Sequence, residues 1–132
     1  MDACPPPEAA TYATDPRIEV ADKLFTQWSR VAPEFASMHE MGGRIPAECG
    51  LLMVGTFISD QIAALHQTPS YSTWCAKADY LPVYRYHKTM LQILQWKNPR
   101  VRWLLKAPEH QVRLQEAKAK YYGLNFHEVS RD

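Results

Sequence analysis

Long hydrophobic runs are missing from this 132-residue sequence. Its longest apolar stretch, Leu51 to Ile58, is bounded by Glu48 and Asp60 and falls well short of the about 20 residues that cross a bilayer. No membrane span is expected. The opening residues Met1-Asp2-Ala3-Cys4 lead into prolines rather than an apolar leader, so a secretory signal is not expected either. Cysteine is scarce: Cys4, Cys49 and Cys75 are odd in number, scattered and without a CxxC pair. They read as reduced thiols rather than a disulfide framework, which points to the cytoplasm. Excess charge is also lacking. A net charge of +1 gives no electrostatic reason to expect a nucleic-acid partner. With only five glycines, no Gly-rich phosphate loop occurs, which counts against an independent nucleotide enzyme. No metal is expected: His39-Glu40 would need a histidine at position 43 to complete HExxH, and that residue is Gly43.

What is present is mostly helical pattern. Residues 1–14 carry Pro5-Pro6-Pro7 and read as an extended proline-rich arm. Asp15-Pro16 then suits a helix start, with Asp as cap and Pro in the first turn. Ile18, Ala21, Leu24, Phe25 and Trp28 recur at helical spacing up to about Arg30. Gly42-Gly43 marks a turn. A second helix is predicted from Ile45-Pro46 to about His66, deeply buried because Leu51, Leu52, Met53, Val54, Phe57, Ile58 and Ile62 leave little polar face. Thr68-Pro69-Ser70 caps a short helix with Tyr71, Trp74 and Cys75. A fourth helix starts near Leu81-Pro82, carries Val83, His87, Met90, Leu91 and Leu94 on one stripe, and ends at Asn98-Pro99. The helical part therefore covers 15–98.

Residues 101–130 read as strand, helix, strand. Val101 to Leu105 is a short apolar run, a helical segment runs to Tyr122, Gly123 punctuates it, and Leu124 to Val129 is again strand-like. Such a unit closes as a right-handed parallel crossover and brings Lys106 and Arg131, each just past a strand, to one sheet edge. Two cations there suit a phosphate or sulfate ligand. Within the turn Lys106-Ala107-Pro108-Glu109-His110, Lys106 is the candidate anion-binding group and His110 or Glu109 the candidate general base. Helix capping with exposed charges accounts for the same residues. His39-Glu40 is a second polar cluster, fitting a pocket lining or a plain polar loop. His87 reads as a core histidine, and Tyr80, Tyr84, Tyr86 and Trp96 as core or interface aromatics.

The ordered set Leu94-Gln95-Trp96, Pro99, Arg102-Trp103-Leu104-Leu105-Lys106-Ala107-Pro108-Glu109-His110 and Ser130-Arg131-Asp132 resembles the bacterial-type sulfotransferase family. Met38-His39-Glu40-Met41, Ile45-Pro46-Ala47-Glu48-Cys49 and Pro69-Ser70-Tyr71 with Trp74 resemble it too. The similarity runs from about Pro5 to Asp132. It implies an α/β, P-loop-like fold, with 15–132 as a partial sulfotransferase-like domain, mainly helical and ending in a parallel β-α-β unit. It also implies transfer of a sulfuryl group from the donor PAPS to a hydroxyl or amine on a small-molecule, lipid or carbohydrate acceptor. By the resemblance, Lys106, His110 and Glu109 are the catalytic candidates, Arg131 and Ser130 meet the donor's 3′-phosphate, and His39 and Glu40 line the acceptor pocket. The family's GxPRSGTT-like loop, the proline after Arg-Asp and a downstream serine have no counterpart here, and Glu128 is polar for a central strand. The expectation is accordingly an internal fragment with little activity alone. The alternative is a non-catalytic helical interaction module.

Overall fold

The computed structural model describes residues 6–96, 99 and 101–113. All regular structure among them is helical. A 3-10 helix, Ala9–Thr14, precedes α1 (Arg17–Val31) and α2 (Phe35–Met38). Then come α3 (Cys49–Met53), a 3-10 turn over Val54–Thr56, α4 (Asp60–Leu65), α5 (Pro69–Cys75), α6 (Leu81–Trp96) and α7 (Pro108–Val112). The described residues fall into two compact units, 6–47 with 92–96, 99 and 101–102, and 48–91 with 103–113.

The predicted α/β, P-loop-like fold is overturned: no strand and no sheet occur among the described residues. Residues 102–107 carry no regular structure, and Val101 and Leu104 are exposed. An apolar run becomes a strand only where a neighbouring strand supplies hydrogen bonds and a face to bury, and neither occurs among the described residues. The first strand of the expected crossover is thus replaced by an irregular segment leading into α7. The rest of the predicted helix to Tyr122, the strand over 124–129, Ser130 and Arg131 lie outside the described residues.

The first unit is small and tied by polar links. Asp15 caps α1 as expected, its Oδ1 accepting the Arg17 backbone N–H at 2.9 Å and the Arg17 Nε–H at 2.9 Å. The arm differs from the extended reading, since Ala9–Thr14 winds into a 3-10 helix whose Thr11 N–H bonds Glu8 O at 3.0 Å. Asp22 Oδ1 accepts the Gly43 N–H at 2.6 Å, and Arg44 donates to Ala13 O at 3.0 Å. Gly43 must be glycine: a Cβ there would lie 2.4 Å from the Ile18 carbonyl oxygen. Trp28 meets Phe35 edge-on at 6.1 Å, and Phe35 stacks on His39 at 5.6 Å.

The second unit holds the core. Cys49, Met53, Cys75, Tyr80, Val83, Tyr84 and Ala107 form one buried cluster, with Ile58, Tyr71, Ala78 and Leu105 packed against it. Each large apolar side chain buried in this way contributes about 1.5–3 kcal/mol. The single long helix predicted over 45–66 is broken into α3, a 3-10 turn and α4. Phe57 stops the first piece in the left-handed region at φ 57°, and Ser59 starts the next by accepting the Gln61 N–H. Thr56 closes the break by donating from its hydroxyl to Met53 O at 2.8 Å. Phe57 is 76% exposed, contrary to the deep burial its hydropathy suggested. The helices α5 and α6 form where expected, with Pro69 in the first turn of α5 and Asp79 Oδ1 accepting the Leu81 N–H at 2.9 Å. Val83, Tyr84, His87 and Leu91 make the buried face of α6.

Candidate functional site

Residues 105–110 connect the core to solvent. Ala107 is buried, and Pro108 opens α7, where its missing N–H costs no helical hydrogen bond. The Lys106 carbonyl accepts the Cys49 N–H at 2.8 Å. The Lys106 side chain is 73% exposed and its Nζ lies 2.6 Å from Glu48 Oε1. A backbone bond and an ion pair therefore clasp Glu48-Cys49 to Lys106-Ala107. At this exposure the ion pair contributes only about 0.2–1 kcal/mol. What it does is aim a cation.

Glu109 turns inward. It is 2% exposed, and the buried Ser59 hydroxyl lies 3.2 Å from its Oε1 and 3.4 Å from Gly50 O. The single hydroxyl proton goes to the carboxylate, the stronger acceptor. Gly50 is the close neighbour that leaves room for this carboxylate, since a Cβ there would sit 3.2 Å from Oε1.

His110 lies against α6. Its ring stacks on Tyr84 at 5.8 Å, with Tyr84 Oη 3.2 Å from Nδ1, and sits 5.9 Å from the ring of His87. His110 Nε2 is buried with no hydrogen-bond partner among the described residues. Burial holds the His110 imidazole below its ordinary range, the nearby Glu109 partly opposing this. Burial, helped by His110, pushes His87 down to about 4. Both rings are therefore neutral near pH 7. Burying an imidazolium is costly, so the proton is lost instead.

The chain thus brings Lys106, Glu109 and His110 onto one short segment but sends them in different directions: Lys106 to solvent, Glu109 to Ser59, His110 to α6. His39 and Glu40 are exposed, in the other unit, with the His39 N–H closing α2 on Phe35 O at 2.9 Å. Arg131 and Ser130 lie outside the described residues. Two participants escaped the sequence reading as site residues, Ser59 and Tyr84. The i, i+3 spacing of Tyr84 and His87 places both on one face of α6, a signal open to inspection. The contact of Ser59 with Glu109 spans 50 positions and had no local signal.

A shallow concavity follows one side of α1, lined by Glu19, Asp22, Lys23, Thr26, Gln27 and Arg30. One helix face encloses little, and it belongs to the other unit from Lys106. Among the described residues no group of three or more His, Cys, Asp or Glu is placed to hold a metal, and no helix is long and apolar enough to cross a membrane. No protein-family model, curated protein or solved structure matches the chain.

Proposed function

We propose that this chain supports sulfuryl transfer from PAPS to a hydroxyl or amine of a small-molecule, lipid or carbohydrate acceptor in the cytoplasm. The observation that carries this reading is Lys106, an exposed ammonium in the segment whose sequence, Arg102 to His110, resembles the sulfotransferase motif. In transfer, the bond between the sulfuryl sulfur and the donor's bridging oxygen breaks and negative charge grows on the leaving phosphate. A fixed cation there stabilises the transition state more than the ground state. The donor's anion competes with Glu48 for Lys106. His110 is the first choice of base, because its imidazole is neutral near pH 7 and Nε2 is uncommitted among the described residues. Glu109 is second, its carboxylate being engaged by Ser59. Arg131 and Ser130 hold the donor's 3′-phosphate in this reading. The free thiols of Cys49 and Cys75 support a reducing compartment. Activity of these 132 residues alone is low in this reading, since no phosphosulfate-binding loop is among them.

The test is donor-dependent sulfation of a panel of phenolic, sugar and lipid alcohols, with Lys106→Ala as control. We expect slow product formation that falls about 100-fold in the variant. Product forming equally well with Lys106→Ala removes Lys106 from the chemistry. Absence of product together with absence of donor binding removes the reading.

One observation favours a second reading, a non-catalytic helical interaction module. Val20, Leu24, Trp28 and Val31 lie within one stripe of α1 and are 38–84% exposed. If this reading is right, Leu24→Glu abolishes capture of a protein partner without changing donor binding.

A further inference from the structure

One face of α1 is left open by the fold. Ile18, Ala21 and Phe25 are its half-buried side. Val20, Leu24 and Val31 are each more than half exposed, and Trp28, which meets Phe35 edge-on, borders them. An apolar stripe along a 15-residue helix matches the seam that packs one helix on another. Charge decides which helix fits. Along one border of the stripe run Glu19, Lys23 and Arg30, acidic near the N-terminus and basic toward the C-terminus. Arg17 and Asp22 are committed elsewhere, to Asp15 and to the Gly43 N–H. Among the described residues neither Glu19 nor Arg30 makes an ion pair. We propose that this face of α1 binds the same face of a second copy of the chain, antiparallel, as an isologous dimer in which Glu19 of each copy meets Arg30 of the other. The inference rests on the interaction-module reading, whose partner it names, and holds whether or not Lys106 meets a donor.

Symmetry selects this arrangement. In an isologous pair the same patch serves both copies, so a contact from one residue to a second is repeated from the second to the first. With the two-fold axis at Leu24, that side chain meets its own copy, Val20 lies opposite Trp28, and Glu19 comes alongside Arg30. Antiparallel packing sets like borders of the two stripes side by side, so the border carrying Glu19 and Arg30 faces itself with the signs reversed. Parallel packing would set that border against the side carrying Ala21 and Phe25, which is apolar and half-buried. It would also bring like helix ends together, whereas antiparallel packing opposes the two dipoles. A pair of 15-residue helices buries little surface, so the dimer is weak, half-dissociating at about 10–100 μM.

The experiment is sedimentation velocity on the full chain from about 5 to 500 μM in low salt, with circular dichroism confirming that each variant is folded. Wild type, Leu24→Glu, Glu19→Arg, Arg30→Glu and an equimolar mixture of the two charge reversals are compared. We expect a monomer–dimer equilibrium in the wild type and a monomer in Leu24→Glu. Each charge reversal alone weakens the dimer about tenfold, because the two-fold axis makes it act twice. The mixture regains wild-type association, since the reversed charge of each variant then meets its complement on the other. The reversals and their mixture decide if Leu24→Glu does not fold. Three results overturn the proposal: a wild-type chain that stays monomeric throughout, a dimer indifferent to Leu24→Glu, or charge reversals that do not rescue each other. A monomeric wild type that still captures a different protein through Leu24 also overturns it, while leaving the interaction-module reading in place.

Discussion

At the scale of single residues, two positions carry more than their sequence shows. Ser59 is both the first-turn cap of α4 and the hydroxyl donor to the buried Glu109 carboxylate. Ser59→Ala removes the cap, worth about 1 kcal/mol, and leaves a buried carboxylate short of a donor, worth about 1–3 kcal/mol. We expect urea unfolding to show a loss of about 2–4 kcal/mol with the slope unchanged. A loss under about 0.5 kcal/mol would mean that Glu109 has other sufficient donors. Gly43 is the second. A Cβ 2.4 Å from the Ile18 carbonyl oxygen meets backbone, which cannot swing aside as a side-chain tip can. Gly43→Ala therefore costs about 1–3 kcal/mol, read as a lowered midpoint in thermal unfolding. Residue chemistry was partly legible in the sequence. The Asp15 cap, the Pro69 and Pro108 helix starts and the core placement of His87 follow from local rules, and the structure shows each. The direction of Glu109 was not legible, because its partner is 50 positions away.

At the scale of elements, periodicity located helices and misjudged their continuity. The apolar residues from Leu51 to Ile62 fit a single buried helix by hydropathy. The backbone instead leaves the helix at Phe57, in a left-handed conformation that a side chain with a Cβ adopts at a cost of about 1–2 kcal/mol. Ser59 then restarts it as a cap, a signal that hydropathy alone hides. Because Phe57 is mostly exposed, Phe57→Gly trades little apolar burial for relief of that conformation. We expect it to stabilise the chain by about 0.5–1 kcal/mol, measured as a raised unfolding midpoint. A destabilised variant would show that the ring contributes packing beyond its exposed surface. The run Val101 to Leu105 failed for the opposite reason. Its residue types favour a strand, but β propensity describes fit to a neighbouring pleated face, and none exists among the described residues.

At the scale of the whole molecule, buried imidazoles couple stability to pH. His87 is held down at about 4 and His110 is held low, while both return to about 6.5 when the chain unfolds. Below about 6.5 the unfolded chain binds more protons, so stability is complete above that value and falls as pH drops toward about 4. The His87 share is on the order of 3 kcal/mol, and His87→Gln should flatten the urea-derived stability profile across that window. A profile equally steep in the variant would assign the acid loss to carboxylates. Fold class was the least legible property at this scale. A motif fixes residue order but not the presence of a second strand, and the resemblance implied a sheet where the described chain is helical.

Donor binding at Lys106 is tested most directly by calorimetric titration with adenosine 3′,5′-bisphosphate, the spent donor. Wild type, Lys106→Ala and Glu48→Gln are compared under low salt. We expect saturable binding that weakens about tenfold in Lys106→Ala and tightens in Glu48→Gln, where the competing carboxylate is gone. Binding absent from the wild type, or identical in all three proteins, would contradict a donor site at Lys106.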